Sequence, residues 1–157
     1  MVRSLQDELM QKVPFSSLEE ETYLGLLRTA DALQARAEVK FKEFGLTGTQ
    51  YNALRILRGA GPEGMPCSEI GGRMITHDPD ITRLLDRLQK RGFVKRSRNQ
   101  QDRRVICARI TAAGLKLLGD MDAPIGRHNR DMLRHVEAKK LRELIALLQV
   151  VRGQRDT

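Results

Sequence analysis

The sequence predicts one mainly α-helical domain that also contains a small β-hairpin of two or three strands. The first observation is periodicity, because apolar residues recur at three- and four-residue steps along most of the 157 residues. Aromatic residues form only 4% of the chain and tryptophan is absent, so the core must be built mainly from aliphatic side chains, which suits helices. Two short apolar runs, at 93–94 and 105–110, enclose a polar segment, and this pattern is typical of a hairpin.

The first 45 residues are predicted to form a short amphipathic helix or arm, at 1–13, followed by one long helix. Ser16 or Ser17 is expected to cap the long helix, and Gly45 to end it. Its apolar stripe would leave uncovered surface on so small a protein, which favours a partner. The stripe consists of Leu27, Ala30, Leu33, Ala37, Phe41 and Phe44.

A second and a third helix are predicted next. Thr47 and Gln50 have the spacing of a capping box at the start of the second helix. A loop at 59–64 separates it from a short helix at 68–74. The adjacent glycines at 71–72 would each cost about 1 kcal/mol relative to Ala in a helix, so we expect another backbone to pass close to them.

A tight turn at 75–77 leads into the fourth helix. Asp78 is predicted to cap this helix, Pro79 suits its first turn, and Gly92 ends it. Two short helices joined by a turn of three or four residues form a helix-turn-helix, and the hairpin that follows makes it winged. The buried face of the fourth helix is predicted to consist of Ile81, Leu84, Leu85 and Leu88.

Positive charge is concentrated on the fourth helix and the hairpin. Between Arg83 and Arg104 the chain has nine Lys or Arg and two Asp, a net charge of +7 within a total of +8. A helix fits the major groove of DNA, and a basic hairpin can reach the neighbouring minor groove. Double-stranded DNA is therefore the predicted partner, and a membrane surface is the weaker alternative. No apolar run approaches the ~18 residues of a membrane span, and the N-terminus has no signal-peptide core, so we expect a cytoplasmic protein.

The C-terminal part is predicted to be helical again. Thr111 is expected to cap a fifth helix, and Pro124 to kink or split it. A last helix is predicted at about 137–151. Its apolar stripe consists of Leu141, Leu144, Ile145, Leu148 and Val151.

This order of elements, together with several short motifs, resembles the MarR family (multiple antibiotic resistance regulators). The matching motifs are Leu46-Thr47 with Gln50, the run from Ile81 to Leu88 with Lys90-Arg91-Gly92, Asp102-Arg103-Arg104, and Ile110-Thr111 with Gly114. The resemblance implies a homodimeric transcription regulator of the winged helix-turn-helix fold, in which N- and C-terminal helices form the dimer interface. It also implies that a small aromatic ligand, or in some members an oxidant, can regulate DNA binding.

We therefore expect a single domain over residues 1–157. Dimerisation helices would occupy about 1–45 and 112–152, and the DNA-binding winged helix about 47–111. A twofold dimer places two recognition helices about one DNA turn, roughly 10 base pairs, apart, which matches a palindromic site. The protein is predicted to repress transcription by binding such a site, with activation as the less favoured alternative. The alternative to dimerisation is that both terminal helices pack within one chain.

Helical geometry sorts the polar residues of the fourth helix. Residues near the N-terminal end of a recognition helix usually reach the bases, so Asp80, Thr82 and Arg83 are predicted to contact bases. Arg87 and Lys90 are predicted to hold phosphates. A carboxylate beside phosphate would be repelled, so Asp86 is expected to support the wing through a salt bridge to a wing arginine. Asp102 is expected to support the wing by accepting hydrogen bonds that shape its turn.

In the wing, either Arg98 or Arg103 is predicted to enter the minor groove. The resemblance supports Asp102 and Arg104 as the family's D-x-R pair, which leaves open which arginine points at the DNA.

The sequence also contains candidate residues for a ligand pocket and two cysteines. Phe41, Phe44, Tyr51 and Met74 could line a ligand pocket, although a plain core role is favoured for each. Cys67 and Cys107 form no C-x-x-C motif and are expected to be small buried hydrophobes. 

The pair His128 and His135, with Asp131 between them, is read as a solvated helix face rather than a zinc site. No phosphate-binding loop, nucleophile elbow or metal-ligand cluster at the usual spacing occurs, so neither an enzyme nor a cofactor is expected. The remaining alternative is a winged-helix module that binds proteins and not DNA.

Overall fold

The computed structural model describes residues 3 to 77 and 80 to 153. The described part contains seven helices and one three-stranded antiparallel sheet, which is the mainly helical class that the sequence predicts. The elements are α1 (Leu5–Glu8), α2 (Leu18–Lys42), α3 (Gly48–Ala60), β1 (Met65–Pro66), α4 (Cys67–Arg73), α5 (Ile81–Lys90), β2 (Val94–Arg98), β3 (Ile106–Ile110), α6 (Ala112–Leu133) and α7 (Ala138–Val151). The chain divides into two compact units, Met1–Gly119 and Asp120–Thr157.

Helix α2 begins with a side-chain cap. The Ser17 hydroxyl oxygen accepts a hydrogen bond from the Glu20 backbone N–H at 3.1 Å, so Ser17 is the cap of the two serines that the sequence offers. The short α1 lies beside α2, where Glu8 and Arg28 form an exposed ion pair at 4.0 Å. Gly45 follows α2 with a φ of +70°, a conformation that favours glycine and turns the chain towards α3.

The predicted capping box at the start of α3 is confirmed. The Thr47 hydroxyl oxygen accepts from the Gln50 N–H at 3.2 Å, and the Gln50 side-chain oxygen accepts from the Thr47 N–H at 3.1 Å. Glu38 of α2 accepts a third bond from the Gly48 N–H at 2.8 Å. A β-carbon on Gly48 would require the Glu38 carboxylate to move from this position.

The expectation for the paired glycines in α4 is wrong. A β-carbon at Gly72 would meet nothing within 4 Å, and one at Gly71 would meet only Ile81 Cγ1 at an ordinary 3.5 Å. Apart from the backbone of α4 itself, no described backbone atom lies within 4 Å of either β-carbon position. The connection between α4 and α5 spans residues 74 to 80 and is longer than the predicted turn of three or four residues.

The cap of α5 also differs from the prediction. Asp80 is the N-cap, and its Oδ1 accepts from the Arg83 N–H at 2.9 Å. The prediction that Asp78 caps this helix is therefore wrong, because the helix begins at Ile81, which is the first residue of the apolar stripe. Asp78 and Pro79 themselves lie outside the described residues.

The sheet has the strand order β1-β3-β2. The hairpin pairs Val94 with Ile110 at one end and Arg98 with Ile106 at the other, so β2 runs further than predicted and the tip is residues 99–105. The third strand, β1, pairs Met65 with Ala108. Gly64 precedes β1 with a φ of +71°, and a β-carbon there would collide with the Ala108 carbonyl.

The core of the first unit lies between α3, α4, α5 and the sheet. Burial of each large aliphatic side chain contributes roughly 1.5–3 kcal/mol, so this core holds α5 against the sheet. Its fully buried side chains include Leu46, Leu54, Leu57, Ile70, Leu85, Leu88 and Val94.

Thr111 joins the hairpin to α6. Its hydroxyl donates to the Gly92 carbonyl at 2.6 Å and its oxygen accepts from the Gly114 N–H at 3.2 Å, so the predicted cap is present. Helix α6 continues through Pro124, so the proline does not split the helix, and the alternative of a kink stays a prediction. A proline removes one helical donor, and the turns on both sides remain helical.

The second unit contains the end of α6 and the helix α7. The start of α7 agrees with the prediction, since Glu137 is its N-cap residue. No described helix is both long and apolar enough to cross a membrane.

Candidate nucleic-acid interface

Helix α5 separates its apolar and polar residues cleanly. Leu84, Leu85 and Leu88 are buried in the core. The polar face is exposed, as the helical spacing of the sequence requires. Its exposed members are Thr82, Arg83, Arg87, Gln89 and Lys90.

At the N-terminus of α5, Asp80 and Arg83 are linked twice. Asp80 Oδ1 caps the Arg83 N–H, and Asp80 Oδ2 lies 3.7 Å from Arg83 Nε. The Arg83 side chain is still 71% exposed. The base-contact role predicted for Asp80 remains a prediction, and the same carboxylate caps the helix and lies beside the Arg83 guanidinium.

Arg96 connects the wing to α5. Its Nε donates to Gln89 Oε1 at 2.8 Å, and its Nη2 donates to Asp86 Oδ1. Asp86 therefore contacts an arginine of β2, as expected for wing support. Neither Arg96 nor Gln89 was predicted from the sequence, because no local pattern indicates which side chain of another element a residue will face.

The wing tip is shaped by Asn99 and Asp102. Asn99 Oδ1 accepts from the Gln101 N–H at 2.7 Å and from the Asp102 N–H at 3.2 Å. Asp102 Oδ1 in turn accepts from the Arg104 N–H at 3.0 Å. Asn99 was missed by the sequence analysis, although an asparagine that bonds the backbone two residues later is a known turn signal.

The wing arginines have different surroundings. Arg98 Nη1 donates to the Arg103 carbonyl oxygen at 3.0 Å, so the Arg98 side chain folds back over the tip. Arg103 and Arg104 are exposed at the tip. This geometry favours Arg103 over Arg98 as the arginine that extends from the wing.

Arg91, the residue directly after α5, directs its side chain at other parts of the protein. Its Nη1 donates to the Gly45 carbonyl oxygen at 2.7 Å, and its guanidinium lies 5.0 Å from the centre of the Phe93 ring. Arg91 thereby ties the end of α5 to the turn between α2 and α3. Part of the charge of the basic segment thus belongs to arginines that bind acceptors of the protein itself.

The four residues suggested as a ligand-pocket lining are only partly brought together. The rings of Phe41 and Tyr51 stack, with centroids 4.6 Å apart, and Tyr51 is buried. Phe44 and Met74 are half-buried. The stacked pair joins α2 to α3, which supports the core role for Phe41 and Tyr51.

Metal and thiol chemistry find little support. Within residues 3–77 and 80–153, no group of three His, Cys, Asp or Glu side chains could hold a metal ion. Both cysteines are free thiols, and Cys107 is buried. Burial raises the pKa of the Cys67 thiol above its ordinary value, which makes it less reactive at neutral pH.

A helix-turn-helix whose exposed recognition face lies beside a basic hairpin defines the class of winged helix-turn-helix proteins. The MarR family model matches residues 46–106 of this chain. A crystal structure of a MarR transcription factor from Planctomyces limnophilus is 45% identical, with a TM-score of 0.66, and the alignment covers 87% of this chain and 99% of that one. The chain therefore belongs to the MarR family of transcription regulators.

Two further proteins are similar to this chain at lower sequence identity, one by sequence and one by structure. An uncharacterized HTH-type transcriptional regulator, YkoM, of Bacillus subtilis is 28% identical over 113 residues, which cover 69% of this chain and 72% of YkoM. The crystal structure of a MepR–DNA complex from S. aureus has a TM-score of 0.73 at 19% identity, and the alignment covers 85% of this chain and 97% of MepR. At that identity, the MepR similarity concerns the fold.

Proposed function

We propose that this MarR-family regulator represses transcription by binding palindromic DNA as a homodimer. The observation that carries the proposal is the exposed polar face of α5, with Thr82, Arg83, Arg87 and Lys90, beside a basic wing. The core that holds α5 against the sheet fixes this face on one side of the unit. The MepR–DNA complex, which has the same fold, supports the choice of DNA as the partner.

The residues of α5 take different roles in this proposal. Thr82 and Arg83 contact base edges, since they lie in the first turn of the recognition helix. Arginine can bind guanine with two hydrogen bonds, the commonest specific contact, and Asp80 holds Arg83 for that purpose. Arg87 and Lys90, further along the same face, bind phosphates.

The wing supplies the minor-groove contact. Asn99 and Asp102 organise the tip, and Arg103 extends into the groove. Arg98 supports the tip through its hydrogen bond to the Arg103 carbonyl oxygen. Arg104 contacts the DNA backbone beside the groove.

The homodimer is supported by exposed apolar side chains on the terminal helices. On α2, Tyr23, Leu27 and Val39 are 61%, 51% and 66% exposed. On α7, five apolar side chains are between 43% and 70% exposed, which is costly in water and favours an interface. The five are Leu144, Ile145, Leu147, Val150 and Val151.

We also propose that a small aromatic ligand regulates DNA binding, as the resemblance to the family implies. Such a ligand would act by changing the distance between the two recognition helices, because a rigid dimer fits only one spacing of half-sites. Of the four candidates, the half-buried Phe44 and Met74 are the proposed lining, and the stacked Phe41 and Tyr51 pair takes the core role. A panel of phenols tests this proposal. A phenol that binds should raise the thermal midpoint of protein unfolding and weaken DNA binding. If no phenol of the panel does either, the proposal of an aromatic ligand is contradicted.

Selection of bound sites from random double-stranded DNA tests the function itself. Wild-type protein should enrich a palindrome whose half-sites are about one DNA turn, roughly 10 base pairs, apart. Affinity for the selected duplex should fall steeply with salt, with a log–log slope of about −0.9 for each phosphate contact. Failure to enrich any sequence, together with a flat salt dependence, would favour the alternative of a protein-binding winged helix.

A further inference from the structure

The Arg96 side chain makes contacts that set it apart from the other cations of the basic segment. It lies in the middle of β2, where its residue pairs with Ala108 of β3, and its guanidinium reaches across to α5. There it binds Asp86 and Gln89, which are three residues apart and therefore neighbours on the helix surface. The Arg96 side chain is 23% exposed, compared with 71% for Arg83.

We propose that Arg96 is a positioning residue that locks the wing to the recognition helix, and that it does not contact DNA. This inference rests on the proposed function, because it concerns how the same interface is assembled. A guanidinium is planar and presents its donors in a fixed fork. Two acceptors on one helix therefore hold the Arg96 plane, and through it β2, at a set angle to α5.

Arg96 also determines how α5 presents its charge to DNA. Asp86 lies three residues after Arg83 and four before Lys90, so its carboxylate belongs to the face proposed to meet phosphates. An unpaired carboxylate there would repel DNA and attract the neighbouring cations. In its ion pair with Arg96 the carboxylate is neutralised, which leaves Arg83 and Lys90 available for the duplex.

The substitution Asp86→Asn separates positioning from simple charge. It removes a negative charge from the DNA-facing surface, so electrostatics alone predicts tighter binding to every duplex. If Asp86 anchors the wing through Arg96, binding to the selected palindrome should instead weaken, by about tenfold. Binding to a random duplex should be unchanged or tighter, so that the ratio of selected to random affinity falls.

The substitution Arg96→Gln provides the second arm. It should weaken binding to the selected palindrome by at least about tenfold, and it should change the salt slope less than the loss of a phosphate contact does, because Arg96 itself touches no phosphate. Arg87→Gln is the matched control, since it also replaces one arginine of the segment but should make the slope less steep by about 0.9. Arg96→Lys keeps the charge without the fork and should fall between wild type and Arg96→Gln.

The double variant Asp86→Asn/Arg96→Gln completes a thermodynamic cycle. It should bind the selected duplex no more weakly than the worse of the two single variants, since both remove the same link. Thermal unfolding of each variant identifies any loss of fold, and Asp86→Asn keeps the test decisive if Arg96→Gln does not fold.

Three results would overturn the inference while leaving the proposed function intact. The first is a salt slope that changes for Arg96→Gln as much as it does for Arg87→Gln. The second is tighter binding of the selected palindrome by Asp86→Asn. The third is a loss of affinity in the double variant equal to the product of the losses in the two single variants. If the wild-type protein itself selects no DNA sequence, the proposed function fails and this inference fails with it.

Discussion

At the scale of single residues, the environment of each arginine decides what it can do. Arg83 projects into solvent from the first turn of α5, where its Nε lies 3.7 Å from the Asp80 carboxylate. Arg91 and Arg96 carry the same charge, yet each directs its guanidinium at acceptors of the protein. Charge alone therefore overstates how many side chains of the basic segment face a partner.

Arg83→Ala should cost about 1–3 kcal/mol of binding free energy at the selected duplex and should relax the choice of base at one position of each half-site. The reason is that a bidentate contact to guanine distinguishes it from the other bases. Dissociation constants for the selected duplex and for its single-base variants provide the measurement. Equal weakening on all of these duplexes would instead assign Arg83 to a phosphate.

Two glycines allow a matched prediction about folding. Gly64→Ala should destabilise the protein by more than about 1–2 kcal/mol, since a left-handed residue with a β-carbon is strained and this β-carbon would collide with the Ala108 carbonyl. Gly72→Ala should stabilise it by about 0.5–1 kcal/mol, because Gly72 lies within α4 and has open space around it. Chemical unfolding of both variants gives the two free energies, and similar signs for the two would contradict this account.

At the scale of elements, short side-chain bonds fix where helices start and how they meet. Ser17 and Glu20 begin α2, Thr47 and Gln50 begin α3, and Thr111 begins α6. The wing is held in a different way, because the Arg96 contacts join a strand to a helix ten residues away in sequence.

The N-terminus of α2 should respond to acid. Glu20 Oε2 accepts from the hydroxyl and from the N–H of Ser16, both at 2.6 Å, and these two bonds lower the pKa of Glu20. A carboxylate whose pKa is depressed on folding contributes stability at neutral pH and loses it as the pH falls through the lowered value. Wild type should therefore have a higher thermal midpoint than Glu20→Gln at neutral pH, and the difference should vanish in acid.

The control for this prediction is Glu21→Gln, which removes a negative charge from the same helical turn without touching Ser16. That charge also favours the helix N-terminus through the dipole, so a small effect is expected. If Glu21→Gln lowers the thermal midpoint as much as Glu20→Gln does, the dipole and not the Ser16 bonds explains the acid response.

At the scale of the whole molecule, the exposed apolar side chains of α7 carry the proposal of a homodimer. Ile145→Glu should shift the protein from dimer to monomer, because Ile145 is 57% exposed and a carboxylate cannot be buried unpaired in an interface. Sedimentation at several protein concentrations measures the shift, and affinity for the palindrome should fall with it.

Lys140→Glu is the control for the dimer experiment. Lys140 also lies exposed on α7, and its substitution reverses a charge without removing an apolar side chain. It should leave the oligomeric state unchanged. A dimer that persists in Ile145→Glu would show that α7 does not form the interface.

Much of the fold was predictable because it depends on local signals. The apolar stripe of α5, the capping box of α3 and the Thr111 cap need only residues a few positions apart, and each was found where the sequence places it. The two-residue strand β1 was too short to show a period of its own, which is why the sequence left open whether the sheet has two or three strands and did not place β1.

The basic recognition helix and wing were determined by the sequence itself, since periodicity, caps and charge all lie within one continuous segment. Only the tertiary structure decided which members of that segment point outwards. It joined Arg91 to Gly45, 46 residues away, and Arg96 to Asp86 and Gln89 of α5. The physical reason is that a long, flexible guanidinium binds whatever acceptor the packed chain brings within reach, and no local pattern encodes that distance.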